Sequence, residues 1–199
     1  GLTGVRYGLS GEWERAVGSI ILAGVLDGLD GRIARLVRGE SRFGAELDSL
    51  SDCIAFGVAP ALVLYMWSLS AMPGLGWIFA LAHALTCALR LARFNAAIDA
   101  EEQPHKSAGF MTGVPAPTGA GLAFVPLYLW MITEQDIFRA WYVVAPWTAF
   151  IAFLMISNLA TFSWKALRLR RNIRLEVIAL AGLVAVSLFT APWVTLLAI

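Results

Sequence analysis

Four aspartates, Asp27, Asp30, Asp48 and Asp52, fall within the stretch LDGLDGRIARLVRGESRFGAELDSLSDC of an otherwise oily chain. Asp27 and Asp30 stand at i and i+3, with Gly31 and Ala34 at i+4 and i+7 from Asp27, so a helix would carry all of them on one stripe. Gly44, Asp48 and Asp52 repeat at i, i+4 and i+8 and form a second stripe. Two antiparallel helices joined by a short basic loop would point four carboxylates into one space. Carboxylates crowded at low dielectric repel one another, so something positive should hold them ionised. Hard divalent cations prefer oxygen ligands, and a two-metal centre can bridge carboxylates while binding a phosphate oxygen. The expectation is therefore a pair of Mg²⁺ or Mn²⁺ ions held by Asp27, Asp30, Asp48 and Asp52, since nothing in the chain resembles a Cys/His zinc site. Gly31 and Ala34 leave space along the acidic stripe, and Arg35, one turn further, offers a planar fork for phosphate oxygens. The segment thus reads as a diphosphate pocket, with Glu40 and Glu46 as ordinary loop charges or partners of neighbouring arginines.

The elements that must hold these groups are membrane helices. Of 199 residues, 59% are hydrophobic and only 15% charged, and the mean hydropathy is +0.71, which excludes an ordinary soluble domain. The apolar runs are continuous rather than alternating, so a β-barrel is excluded as well. A bilayer crossing needs roughly 20 apolar residues, and windows of that kind lie at about 15–36, 44–68, 75–97, 117–133, 140–162 and 175–199, with a stub at 1–9. The last window divides into two if Pro192 starts a new helix. The fold class expected is all-α, a polytopic helical bundle of six to eight transmembrane helices with the first and last truncated, forming one domain over 1–199. Arg35, Arg38 and Arg42 border the loop 37–43, and WKALRLRRNIR fills 164–174, so these loops and 98–116 should face the cytoplasm. Trp13, Trp67, Trp77, Trp130 and Trp141 then sit at the outer interface and Trp164 at the inner one. Pro115 and Pro117 predict an extended or kinked entry into the fourth crossing. His83, mid-span, reads as a hydrogen-bonded packing histidine, and Cys53 and Cys87 as small buried residues.

The run from Asp27 to Asp52 resembles the signature of the CDP-alcohol phosphatidyltransferase family, D-x2-D-G-x2-A-R-x8-G-x3-D-x3-D, with every fixed position filled at the right spacing. The resemblance implies an integral membrane enzyme that cleaves the pyrophosphate of a CDP-linked lipid and passes its phosphatidyl group to an alcohol, releasing CMP. Carried over by position, Asp27, Asp30 and Asp48 would be metal ligands. Asp52 would share in the second metal and act as general base. Gly31, Ala34 and Arg35 would line the cytidine diphosphate site, and Gly44 would allow close helix or ligand approach. The segments ALRLARFNAA, GFMTGVPAPTGAG and MISNLATFSWKA resemble the bacterial phosphatidylserine synthases of the family, favouring L-serine over glycerol 3-phosphate, inositol phosphate or choline. The serine carboxylate would call for an arginine near the metals. Arg90 and Arg93, with Asn95 and Lys165, are the candidates, against the plainer reading of basic side chains snorkelling to the interface. The partners expected are CDP-diacylglycerol, L-serine and membrane lipid, with no nucleic acid and a second copy in a homodimer. The location expected is a bacterial inner membrane with the site facing the cytoplasm. A metal or proton transporter is the rival class; it would need acids continuing outward, and CIAFGVAPALVLYMW beyond Asp52 carries none.

Overall fold

Within the described residues the apolar windows fold mainly as helices, because in a bilayer every backbone N–H and C=O must find a partner inside the chain. The computed structural model describes residues 1–37, 42–98, 110–157, 160–162, 186–188 and 190–198. Helix α1 (Leu2–Leu9) turns into α2 (Trp13–Val37), and the two pack closely because position 4 is glycine. A Cβ there would lie 2.7 Å from the Ala16 carbonyl oxygen and 2.8 Å from Ile20. Helix α3 (Arg42–Asp52) runs through a wide π-helical turn (Cys53–Val58) into α4 (Ala59–Trp67). A short 3₁₀ turn at Leu69–Ala71 leads to α5 (Gly76–Ile98). Helices α6 (Ala116–Ala123) and α7 (Val125–Thr133) follow, then α8 (Trp141–Ile156) and α9 (Pro192–Ala198).

Among the described residues, three helical stretches are long and apolar enough to cross a membrane: Glu46–Trp67, Gly76–Ala96 and Ala116–Thr133. Helix α8 is apolar but shorter, and α2 has the length with charges near both ends. The chain is thus an all-α membrane bundle, with α2, α3–α4 and α5 at the expected positions. Buried side chains including Val17, Phe56, Leu64, Leu127, Ile151 and Met155 form one core. Outward, α5 presents Ile78, Leu81, Leu85 and Leu89 as an exposed apolar stripe, the face suited to lipid.

Prolines break the backbone ladder, and side chains from neighbouring helices repair it. Pro126 has no N–H for the Leu122 carbonyl, and Trp147 Nε1 of α8 donates there at 2.8 Å. The expected crossing 117–133 is accordingly two helices that meet at Phe124. Its entry is extended as expected, with Pro115 at φ −56°, ψ 146°.

The window 140–162 is corrected by the structure. Helix α8 ends at Ile156, where Ser157 turns extended, and Ala160–Phe162 instead pairs antiparallel with Phe110–Thr112. Trp67 is a second correction. It is 2% exposed, packed edge-on against Trp130 at 5.9 Å, and so is a core residue rather than an interfacial one. Its carbonyl accepts from Arg139 Nε at 3.0 Å, and Ser68 Oγ donates to the Arg139 carbonyl at 2.6 Å. These bonds tie the end of α4 to the turn that precedes α8. In the last window a helix starts at Pro192, as the divided reading has it, and Trp193 stacks on Tyr128 at 6.1 Å. Trp164, Lys165 and the basic run 164–174 lie outside the described residues.

Candidate active site

Helices α2 and α3 bring Asp27, Asp48 and Asp52 together: one carboxylate oxygen from each lies within 4.8 Å of the others. Asp27 and Asp52 are half-buried and Asp48 is exposed. Asp30, one turn beyond Asp27, is exposed and lies outside that group of three. The donor set suits a hard divalent cation. Ligand oxygens 2.0–2.6 Å from one ion stand about 4–5 Å apart when they lie on opposite sides of it, which is the spread seen here. A cation there would also remove the repulsion among the three carboxylates.

Gly44 is exposed near the start of α3, one turn before Asp48. Gly31, Ala34 and Arg35 belong to the last turns of α2; their side chains lie outside the described part of the structure.

Helix α5 runs antiparallel to the acidic helix and touches it at successive levels. Asn95 Nδ2 donates to Ser49 Oγ at 3.0 Å and to Glu46 Oε2 at 3.3 Å. Glu46 therefore sits on α3 as a partner of Asn95 rather than in a loop. Arg90 lies close enough to Asp52 to feel its charge, and its Nε is buried with no hydrogen-bond partner among the described residues. Cys87 packs on Gly57, where an added Cβ would meet the Cys87 Cβ at 3.0 Å. His83, fully buried, bonds through Nε2 to the Phe56 carbonyl at 3.3 Å, as a packing histidine should. Arg93 donates through Nη1 to the Ile156 carbonyl at 3.1 Å, closing the last turn of α8.

The arrangement thus joins an oxygen-only cluster that could hold a metal ion, a guanidinium within electrostatic reach of it, and a dry interior beyond. Phe56, Ala59, Val63 and Leu64, which follow Asp52 on its own helix, are buried and apolar, so that helix offers no polar path outward. Sequence reasoning missed the wide turn after Asp52, Ser49 as partner of Asn95, and Gly57 as the close-approach point. The available signal was Pro60, four residues after Phe56, in a span with a lone histidine on the next helix.

The sequence profile of the CDP-alcohol phosphatidyltransferase family matches residues 5–164. A CDP-diacylglycerol–serine O-phosphatidyltransferase of Mycobacterium tuberculosis (strain ATCC 25618 / H37Rv) is 36% identical over 202 residues, covering 100% of this chain and 70% of its own length. The enzyme of the same name from Mycobacterium leprae (strain TN) is 36% identical over 193 residues, covering 97% of this chain and 64% of its own. That of Helicobacter pylori (strain ATCC 700392 / 26695) is 31% identical over 186 residues, covering 90% and 73%. With the acidic helices aligned in space and the profile spanning them and most of the bundle, the chain belongs to the CDP-alcohol phosphatidyltransferase family.

Proposed function

We propose that this protein transfers the phosphatidyl group of CDP-diacylglycerol to the hydroxyl of L-serine, giving phosphatidylserine and CMP. The observation that supports it most directly is the meeting of Asp27, Asp48 and Asp52 from two helices beside Arg90. Relatives that match over 90% or more of the chain carry the serine-transferase name, which supports serine among the possible acceptors. Residues 1–199 act as one catalytic domain in this reading.

Asp27, Asp30, Asp48 and Asp52 would hold two Mg²⁺ or Mn²⁺ ions, which when bound neutralise the diphosphate and the departing CMP. Asp52 accepts the serine hydroxyl proton as that oxygen attacks the phosphatidyl phosphorus. The bond from phosphorus to the bridging pyrophosphate oxygen breaks, and CMP leaves with the electron pair. Gly31, Ala34, Arg35 and Gly44 border the cytidine diphosphate. Arg90 is the best-placed partner for the serine carboxylate, with Arg93, Asn95 and Lys165 as the further candidates. The site faces the cytoplasm of a bacterial inner membrane, where a lipid donor and a water-soluble acceptor meet without either changing phase, and the enzyme works as a homodimer.

The test is CMP release from CDP-diacylglycerol by the purified protein, with Mg²⁺, Mn²⁺ or chelator, and with serine, glycerol 3-phosphate, inositol phosphate and choline side by side. Metal-dependent release with serine is expected. Release driven by another acceptor would reassign the substrate, and no metal-dependent CMP under any acceptor would refute the transferase.

A further inference from the structure

Directly after Asp52 the chain leaves α-helical geometry for the wide turn Cys53–Val58, where the Ala59 N–H reaches back five residues to the Ile54 carbonyl. Pro60 lies four residues after Phe56 and has no N–H, so the Phe56 carbonyl cannot receive the ordinary i+4 bond. In a membrane interior that carbonyl needs a donor. His83 supplies one through Nε2 at 3.3 Å, from a side chain 0% exposed. A carbonyl only accepts, so Nε2 carries the proton. His83, Cys87 and Arg90 are i, i+4 and i+7 on α5 and share one face. His83 meets Phe56, Cys87 meets Gly57, and Arg90 lies within electrostatic reach of Asp52.

We propose that His83 is a positioning residue: its bond to the Phe56 carbonyl holds the wide turn that aims Asp48 and Asp52 at Asp27. Replacing a π-type turn by an α-type turn changes the register by one residue, about 100° of rotation. A carboxylate about 5–6 Å from the helix axis would move by about 8 Å in that rotation, more than the 4.8 Å spread of the cluster. The inference rests on the metal-site reading above and adds to it a residue remote from the ligands.

The experiment uses the full chain in detergent, with Mn²⁺ binding followed by electron paramagnetic resonance beside CMP release and thermal melting. His83→Leu removes the donor and should weaken Mn²⁺ binding at least tenfold, while His83→Gln, which keeps an N–H, should stay within threefold of wild type. Pro60→Ala returns an i+4 donor to Phe56 and favours the narrow turn. Added to His83→Leu, it should restore melting without restoring Mn²⁺ affinity, whereas recovery of both would reduce His83 to a satisfied core residue and overturn the proposal. Wild-type Mn²⁺ affinity in His83→Leu would overturn it too. Should His83→Leu fail to fold alone, its combination with Pro60→Ala decides: Mn²⁺ binding weakened at least tenfold supports the proposal, and wild-type Mn²⁺ affinity overturns it. Asp48→Asn separates the two layers. If the wild type binds Mn²⁺ and Asp48→Asn does not, an unaffected His83→Leu defeats this inference alone; a wild type that binds no Mn²⁺ defeats the metal site and the inference together.

Discussion

Gly57→Ala probes whether the spacing between α5 and the wide turn controls the chemistry. The added Cβ would lie 3.0 Å from the Cys87 Cβ, 3.2 Å from its Sγ and 3.4 Å from the Ala84 carbonyl oxygen. Carbon atoms rest comfortably at about 3.5–4.0 Å, so the two helices must part by roughly 0.5–1 Å. Overpacking of that size costs about 1–3 kcal/mol. The larger consequence is functional, because the same interface carries Arg90 within electrostatic reach of Asp52, and a misplacement of about 1 Å in a reacting group can cost roughly 100-fold in rate. The expected result is a kcat for CMP release lowered about 10- to 100-fold, with a modest fall in melting temperature. Cys87→Gly removes both crowding atoms, at a helix-propensity cost of roughly 0.3 kcal/mol, so Gly57→Ala with Cys87→Gly should regain most of the lost rate. Wild-type turnover in Gly57→Ala, or a double variant no faster than the single one, would refute the argument that contact at position 57 sets the site.

Two other substitutions divide the roles of charged groups. Asp52→Asn should keep Mn²⁺ bound while turnover falls about 10²- to 10⁴-fold, the usual worth of a positioned general base; retained turnover would remove Asp52 from proton transfer. Arg93→Ala should raise the KM for serine more than that for the CDP-lipid, and an unchanged serine KM would remove Arg93 from the acceptor site.

The acidic stripes were legible because helical spacing is local: Asp48 and Asp52 must share a face wherever the helix goes. Crossing positions were legible for the same kind of reason, since apolar length is a property of a contiguous segment. The ends of elements were less so. Helix α8 ends at Ile156 although the apolar run continues, because Ala160–Phe162 pairs with a strand far back in the chain, Phe110–Thr112. The burial of Trp67 likewise depends on Trp130 and Arg139 arriving from other elements.

By itself, the sequence determined the class of molecule, the two acidic faces and the family signature, because each is written in composition or in spacing within one segment. Only the tertiary structure decided which carboxylates meet. Asp27 joins Asp48 and Asp52 within 4.8 Å while Asp30 stays outside that group, since convergence depends on how two helices cross. It also decided the tasks of His83, Gly57 and Asn95, each defined by a contact with a different helix. A proline's missing N–H can be read from one residue, but the donor that replaces it must come from a neighbour that only folding brings within reach.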